Sequence, residues 1–343
     1  MKQLKNTLYI TNPDSYLTRD GQNLVIKNNG EEVFRRPIHL FENIVCFAYM
    51  GASPALLALC SEAGVFLSFH NQYGKFLAAV HGPQCGNVLL RRQQYRLADN
   101  EEACLALARN FITGKLVNCR SVLKRCMRDY REQVDYYLLE DCVERLNISL
   151  SLLSGADSLE ALRGIEGEAA KTYFSGLNEA ILQQKDSFYM HNRSRRPPLD
   201  NFNAMLSFLY SLLAQQCAAA LQSVGLDPFV GFLHRDRPGR ASLALDLMEE
   251  FRPFLVDRLT VTMINRKQIS AADFLEKEGG GIIMTDEGRK TILTAWQKRK
   301  EDQVTHSYLN EKMAIGLLPF AGAMLLARCL RGDLQQYPPF FSS

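Results

Sequence analysis

The sequence predicts an α+β protein: a small N-terminal β domain with one helix over residues 1–85, a larger all-α domain over 86–332, and a tail, 333–343. Three observations predict this. The first 85 residues carry short β-prone runs separated by the tight-turn pairs Asp20-Gly21 and Asn29-Gly30. From residue 88 to about 330 apolar residues recur at helical spacing instead. Between the two lies Gly82-Pro83 with Gly86, the composition of a linker.

In the first part, Thr7 to Thr11 is a short β-prone run. Tyr16 to Arg19 and Asn23 to Lys27 flank Asp20-Gly21 as a hairpin, and Asn29-Gly30 turns the chain into Glu31 to Arg35. Ile38 to Phe47 continues the pattern. Ser53 then caps a helix with Pro54 at its first position, where the missing N–H costs nothing, and Gly64 stops it. Val65 to Phe69 and Phe76 to Val80 follow as strands, joined by a turn at Gly74. No cluster in this part suggests chemistry. A sheet this small tends to need a partner surface, so its expected role is structural.

Composition narrows the classes. With 47% hydrophobic and 22% charged residues, the chain is neither fibrous nor disordered. A net charge of only +3 does not announce a nucleic-acid partner, so any basic surface is local. Nine cysteines, an odd count without a CxxC pair, argue against a disulfide framework or zinc site and for a reducing cytoplasm. The N-terminus MKQLKNTLYI lacks the apolar core of a secretory leader. No apolar run reaches the roughly 18 residues of a membrane span, so the cytoplasm is the expected location.

The helical part opens with Val88 to Leu97, which contains RRQQYR. Glu101 to Thr113 reads as one amphipathic helix and Lys115 to Leu146 as the next. The latter carries Arg120, Lys124, Arg128 and Arg131 at steps of four, four and three, with Arg125 beside them. Cations so spaced can follow a phosphate backbone. A solvated face paired with Asp129, Glu132 and Asp135 accounts for them equally well. The helix beginning at Ser158 centres on LRGIEGEAAKTYF, where Gly164 and Gly167 flank Glu166. Each glycine costs about 1 kcal/mol relative to alanine, which points to close packing or backbone approach beside Glu166. Residues 191–203, HNRSRRPPLDNFN, form a basic loop broken by prolines, with Arg193, Arg195 and Arg196, and Asp200 placed to cap the next helix. That helix, Ala204 to Val224, is apolar almost all round and is expected at the centre of the second domain. Phe254 to Ile264 is helical or extended. Glu278 and three glycines precede Ile282 to Met284 as a short hairpin, with no GK[ST] to make a phosphate loop. Asp286 caps a last basic helix that carries Arg289-Lys290 and Lys298. The tail, with Tyr337-Pro-Pro-Phe-Phe, reads as disordered or as a peptide that docks on another protein.

The chemistry concentrates between Gly225 and Pro253, GLDPFVGFLHRDRPGRASLALDLMEEFRP. Apolar residues lead to His234, RDRPGR forms a charged loop, and Ser242 caps a helix. Leu243, Ala244, Leu247, Met248 and Phe251 share one face of that helix; Asp246, Glu249 and Glu250 fall opposite. Carboxylates folded against an imidazole suit a hard divalent cation. The competing reading makes the acids the solvated side of an ordinary helix.

Three segments in order, GIEGEAA around Glu166, RRPPLDNFNAMLSFLYSLL, and GFLH through ALDLMEEFRP, resemble the motifs of the CRISPR-associated spacer-acquisition integrases, the Cas1 family. The likeness extends over nearly the whole chain. It implies a DNA endonuclease/integrase, dependent on Mg2+ or Mn2+, that inserts short foreign DNA fragments into the CRISPR array by attack of a 3′-hydroxyl. Carried over, the metal ligands fall on Glu166, His234 and Glu249, with Asp246 completing the catalytic set. Many members have aspartate where Glu249 stands, so which acid of residues 246–250 is the direct ligand stays open, as does a role for His234 in proton transfer. The family's plan implies a homodimer paired through the N-terminal domain and a small Cas2 subunit. The FHNQYGKF segment resembles type I-C members, which implies a Cas4-type processing partner. DNA phosphates would lie on Arg120, Lys124, Arg128, Arg193, Arg195, Arg196, Arg237 and Lys298. Tyr95, Tyr173 and Tyr210 are candidates to stack on bases, although core packing explains each. Two other functions fit the same residues: a structure-specific nuclease on branched DNA, and a non-catalytic DNA-binding scaffold.

Overall fold

Alternating sequence in the first part folds into two sheets. In this computed structural model, which describes residues 5–47, 50–71, 76–80 and 88–342, the chain forms two compact units. The first unit comprises residues 1–85 together with 286–297, and the second the remainder. Strands β1 (Asn6–Ile10), β5 (Phe41–Cys46), β6 (Phe66–His70) and β7 (Phe76–Val80) form a mixed sheet in that order. The first two pairings are parallel and the last antiparallel. Strands β2 (Ser15–Asp20), β3 (Asn23–Asn28) and β4 (Glu31–Pro37) form an antiparallel meander. The hairpin forms, but Asp20 pairs with Asn23, so the tight turn falls on Gly21-Gln22, one residue later than the expected Asp20-Gly21. Helix α1 (Pro54–Ala63) starts where expected: Ser53 accepts the Leu56 N–H, Pro54 is the first residue, and Gly64 caps the end at φ 66°. Leu17, Leu24, Ile44, Leu56 and Leu67 belong to a hydrophobic core that this unit buries. The turn at Gly74 and the Gly82-Pro83 and Gly86 linker lie outside the described residues.

The second unit begins with α2 (Val88–Ala98), α3 (Glu101–Asp129), α4 (Tyr136–Leu152) and α5 (Leu159–Glu179). Here the structure departs from the expected helix boundaries. Residues 101–129 form one helix that runs through Gly114, and the break falls at 130–135 instead. Gly114 stays helical because its bare face meets other parts of the fold. A Cβ there would lie 2.8 Å from Pro339 Cβ and 2.9 Å from Glu250 Cβ. Arg131 therefore lies past the helix end, over the ring of Tyr136 at 5.1 Å, and leaves the expected cationic stripe.

After the short α6 (Lys185–Phe188), Asp200 accepts the Asn203 N–H and starts α7 (Asn201–Ser223), which packs against α8 (Ser242–Met248). Among the described residues α7 is the one helix long and apolar enough to cross a membrane by length and composition, and 61% of its apolar window is buried in protein. A π-helical turn, Arg252–Asp257, leads into α9 (Arg258–Asn265). The hairpin of β8 (Phe274–Glu276) and β9 (Ile282–Met284) is present as expected. Helix α10 (Asp286–Glu301) is followed by β10 (Gln303–Thr305), β11 (Lys312–Ala314) and α11 (Leu318–Leu330). Residues 286–297 were expected in the helical domain but group with the β unit, where Trp296 is buried and hydrogen-bonds Tyr9.

The tail is neither disordered nor free. Tyr337 and Phe340 are buried. Tyr337 packs on Phe111, and Phe340 on Phe251, Phe254 and His306. Asn118 of α3 fastens it: its amide N–H groups donate to the carbonyls of Glu250 (2.6 Å) and Phe340 (2.9 Å), and its oxygen accepts the Ser342 N–H (2.7 Å). Two aromatic anchors and a satisfied buried amide hold it down, through long-range contacts that an aperiodic sequence does not disclose.

Gly114→Ala would drive a methyl group into Pro339 and Glu250. Overpacking of this kind costs about 1–3 kcal/mol. Urea denaturation should show a loss of that size, with faster proteolysis of the tail; an unchanged midpoint would mean that the tail is not seated on this glycine.

Candidate active site

His234 is held by a loop that closes on α8. Gln94 of α2, fully buried, donates to the carbonyls of Asp227 and Val230 and accepts the Asp227 N–H. Gly231 lets the loop press on the helix, since a Cβ there would meet Ser242 Cβ at 2.8 Å and Asp246 Oδ2 at 2.9 Å. The backbone N–H groups of Phe232 and Leu233 can then donate to Asp246 Oδ2 (2.7 and 3.0 Å), and that of His234 to Oδ1 (3.0 Å). The ring joins them, with Nδ1 at 2.6 Å from Asp246 Oδ1. A carboxylate partner puts the ring proton on Nδ1 and leaves Nε2 as the ring's acceptor. Arg163 of α5 ties the same loop down by donating to the Leu233 carbonyl at 2.6 Å.

Asp246 is wholly buried and its oxygens are taken up by these four donors. It orients His234. All three acids are buried, which rules out the competing reading of a solvated helix face. Helix α8 ends at Met248, so Glu249 and Glu250 sit on a turn. Ser242 lies inside the helix and donates to the Arg235 carbonyl rather than capping.

Glu249 points to a second centre. Lys115 of α3 contacts Glu166 of α5 and lies 2.8 Å from Glu249 Oε2, while Arg252 binds Glu249 Oε1 at 3.0 Å. Burial pushes the Glu249 carboxyl up, but Arg252 and Lys115 outweigh it and hold it down at about 2. Burial pulls Lys115 down, and the Glu249 and Glu166 carboxylates overcome this and leave it raised. Both groups are therefore charged at neutral pH. Glu250 points the other way. Its oxygens accept the Tyr337 hydroxyl (2.6 Å) and the Phe340 N–H (2.8 Å), and burial lifts it to about 8. It fastens the tail and takes no part in the centre.

The donor set suits a hard divalent cation. Two carboxylates from separate elements already share one positive centre. Glu249 Oε2 is buried with a cation beside it, yet no hydrogen bond is aligned on it. His234 is within electrostatic reach of Glu249 and keeps Nε2 clear of Asp246. Among the described residues, however, no three His, Cys, Asp or Glu side chains converge as a ready-made cage. Glu166 and Glu249 meet on the Lys115 ammonium, and His234 does not join them in a three-ligand cluster, although it acts electrostatically on Glu249.

The glycines around Glu166 do not serve packing. Nothing lies within 4 Å of a Cβ at Gly164 or Gly167, so the helix faces that these glycines present are open. The expected phosphate contacts divide. Lys124, Arg128, Arg195, Arg196, Arg237 and Lys298 are exposed. Arg120 is half-buried and donates to Asn147. Arg193 is spent inside, bonded to Asn203 and Ser207 and stacked on Tyr210 at 5.4 Å. Tyr173 and Tyr210 both donate to the buried Asp257, and Tyr95 donates to Asp227. Burial, then Arg237, Arg163 and Arg196, hold Arg240 below its usual range, so these four arginines crowd the edge of the His234 loop.

Sequence reasoning missed Lys115, Arg252 and Arg163. One signal was available for Lys115: it falls among Phe111, Ile112, Leu116 and Cys119 on the buried stripe of α3, where a charge needs a reason.

Comparison with known proteins points one way. The family profile described as "CRISPR associated protein Cas1" matches residues 8–298. "CRISPR-associated endonuclease Cas1 1" of Chlorobaculum tepidum is 47% identical over 340 residues, covering 99% of each chain. A "CRISPR-associated exonuclease Cas4/endonuclease Cas1 fusion" of Geobacter sulfurreducens is 34% identical over 97% of this chain and 60% of its own length. Among solved structures, a casposase bound to integration product superposes with a TM-score of 0.86 at 24% identity, covering 99% of this chain and 95% of that one. A Cas6-RT-Cas1–Cas2 complex gives 0.81 at 22% identity over 99% of this chain and 36% of that chain. At those identities the structures show the fold alone.

Glu250 yields a pH signature. A carboxyl raised from the ordinary 4.5 to about 8 binds its proton more tightly in the folded chain. Its stabilising contribution is therefore full below 4.5 and is lost as pH rises through 8. Glu250→Gln removes the titration, so its stability relative to the parent should climb between pH 5 and pH 9 in denaturant titrations. A difference independent of pH would contradict the buried, protonated state.

Proposed function

The chain belongs to the CRISPR-associated Cas1 family, and from that premise we propose that it is a metal-dependent DNA endonuclease/integrase that joins short foreign DNA fragments to the CRISPR array by transesterification. The observation that carries this is the meeting of Glu166 and Glu249, from α5 and the turn after α8, on one cationic centre, with the oriented His234 imidazole within electrostatic reach of Glu249. Glu166 and Glu249 would hold Mg2+ or Mn2+, with His234 Nε2 as the third donor or as the group that exchanges a proton with the leaving oxygen. When bound, such an ion polarises a phosphodiester and stabilises charge on its oxygens. Arg252 keeps Glu249 ionised and aimed. Asp246 keeps His234 in one tautomer and one orientation. Arg196, Arg237 and Arg240, with the exposed Lys124 and Arg128, are placed to bind phosphates.

In this reading the nucleophile decides the outcome: water gives cleavage and a 3′-hydroxyl gives integration. The proposed partners are DNA, a second copy paired through the N-terminal unit, and Cas2. A Cas4 nuclease belongs to the same proposal, together with a type I-C origin and a cytoplasmic location. Support for the partners comes from the fold shared with a Cas1–Cas2 complex and from the related Cas4/Cas1 fusion.

Glu166→Ala should cut strand transfer of a 3′-hydroxyl duplex into supercoiled repeat DNA by more than about 100-fold while DNA affinity is kept. Retained activity would favour a scaffold. Metal-dependent cleavage without transfer, even with Cas2 present, would favour a plain nuclease. Asp246→Asn places a donor against N–H groups and frees the ring, so activity should fall about 10–100-fold with the helical signal intact; a rate equal to the parent's would show that His234 needs no orienting.

A further inference from the structure

We propose that Lys115 is a positioning residue of this site: a resident counter-cation that holds Glu166 and Glu249 together until a divalent metal arrives, and that the metal must displace. The inference rests on the metal-dependent reading above and concerns a residue outside the expected ligand set.

Four observations support it. Lys115 is nearly buried, with 11% of its side chain exposed, on a stripe of apolar neighbours. Its ammonium touches carboxylates from two different elements. Glu249 is held on its other oxygen by Arg252, so the two acids and two bases sum to zero charge. The cluster is nonetheless not closed. Glu166 keeps 28% of its side chain exposed, and Lys115, 2.8 Å from Glu249 Oε2, makes no aligned hydrogen bond to that oxygen.

A purely structural ion pair has no need of that opening. A lysine suits a reversible role: it is a compact charge on a flexible stem, able to swing while its methylenes stay packed. A divalent ion entering with Lys115 in place would bring two positive charges against a third. The ammonium therefore moves, and the loaded centre carries excess positive charge that incoming phosphates neutralise. Metal and DNA should accordingly tighten each other's binding.

The test is Mn2+ binding to the full chain, followed by calorimetry and by electron paramagnetic resonance, for the parent, Lys115→Met and Lys115→Gln. Removing the competing charge should tighten Mn2+ binding by about threefold or more. The metal-free variants should melt lower than the parent and recover with Mn2+, and DNA should improve Mn2+ affinity less than it does in the parent. Equal or weaker binding by the variants would overturn the proposal and make Lys115 a preorganising residue. No Mn2+ uptake by any of the proteins would sink the metal reading, and this inference with it. Should the neutral variants fail to fold, lysine side-chain NMR of the parent decides: the Lys115 resonance must shift on Mg2+ addition, and a fixed resonance overturns the proposal.

Discussion

Two carboxylates on one buried ammonium form the interaction on which the rest of the helical unit depends. Lys115, Glu166, Glu249 and Arg252 come from three stretches of chain. Burying such charges is worthwhile only when each finds a partner, and removing one partner from a buried pair costs about 3–5 kcal/mol. The pairing continues inward. Arg252 lies 4.9 Å over the ring of Tyr210, whose hydroxyl donates to Asp257, which also accepts from Tyr173. Burial lifts Asp257 to about 6 against the two tyrosine hydrogen bonds. A polar thread thus runs from the candidate site into the core, and the π-helical turn Arg252–Asp257 carries both Arg252 and Asp257.

Three neighbouring acids show how position sets chemistry. Asp246 is saturated by four donors and orients an imidazole. Glu249, flanked by Lys115 and Arg252, is ionised. Glu250, one residue on, faces a tyrosine and an amide among apolar rings and holds its proton. Two glycines make this sorting feasible. Gly231 brings the loop amides onto Asp246, and Gly114 lets α3 approach Glu250 and the tail. The tail is thereby part of the architecture around the site, through Asn118 and Tyr337.

Much of the fold was legible because local signals agree with it. The first hairpin, the Ser53-Pro54 helix start and the Asp200 cap all involve contacts within a few residues. Of the site, His234 and Glu166 stood out through the family likeness, and the structure places them beside Asp246 and Lys115 respectively. Long-range terms hid the rest. Periodicity put Asp246, Glu249 and Glu250 together opposite the apolar face, whereas the helix ends at Met248 and the three buried acids meet different partners. Arg193 read as a phosphate contact, but Asn203 and Ser207 of α7 consume it. The glycines beside Glu166 suggested close packing where the chain leaves open space. Lys115 was overlooked because the helix was expected to break at Gly114, which split the apolar stripe that Lys115 belongs to.

A site assembled from a neutral set of charges explains how two buried acids can lie close together in the folded chain, with no preassembled ligand cage among the described residues. The most direct measurement is anomalous diffraction from crystals equilibrated with Mn2+. One manganese peak is expected at the Glu166 and Glu249 carboxylates, with the Lys115 ammonium withdrawn from both. Manganese bound elsewhere, or Lys115 still seated between the two acids at full occupancy of the metal, would contradict it.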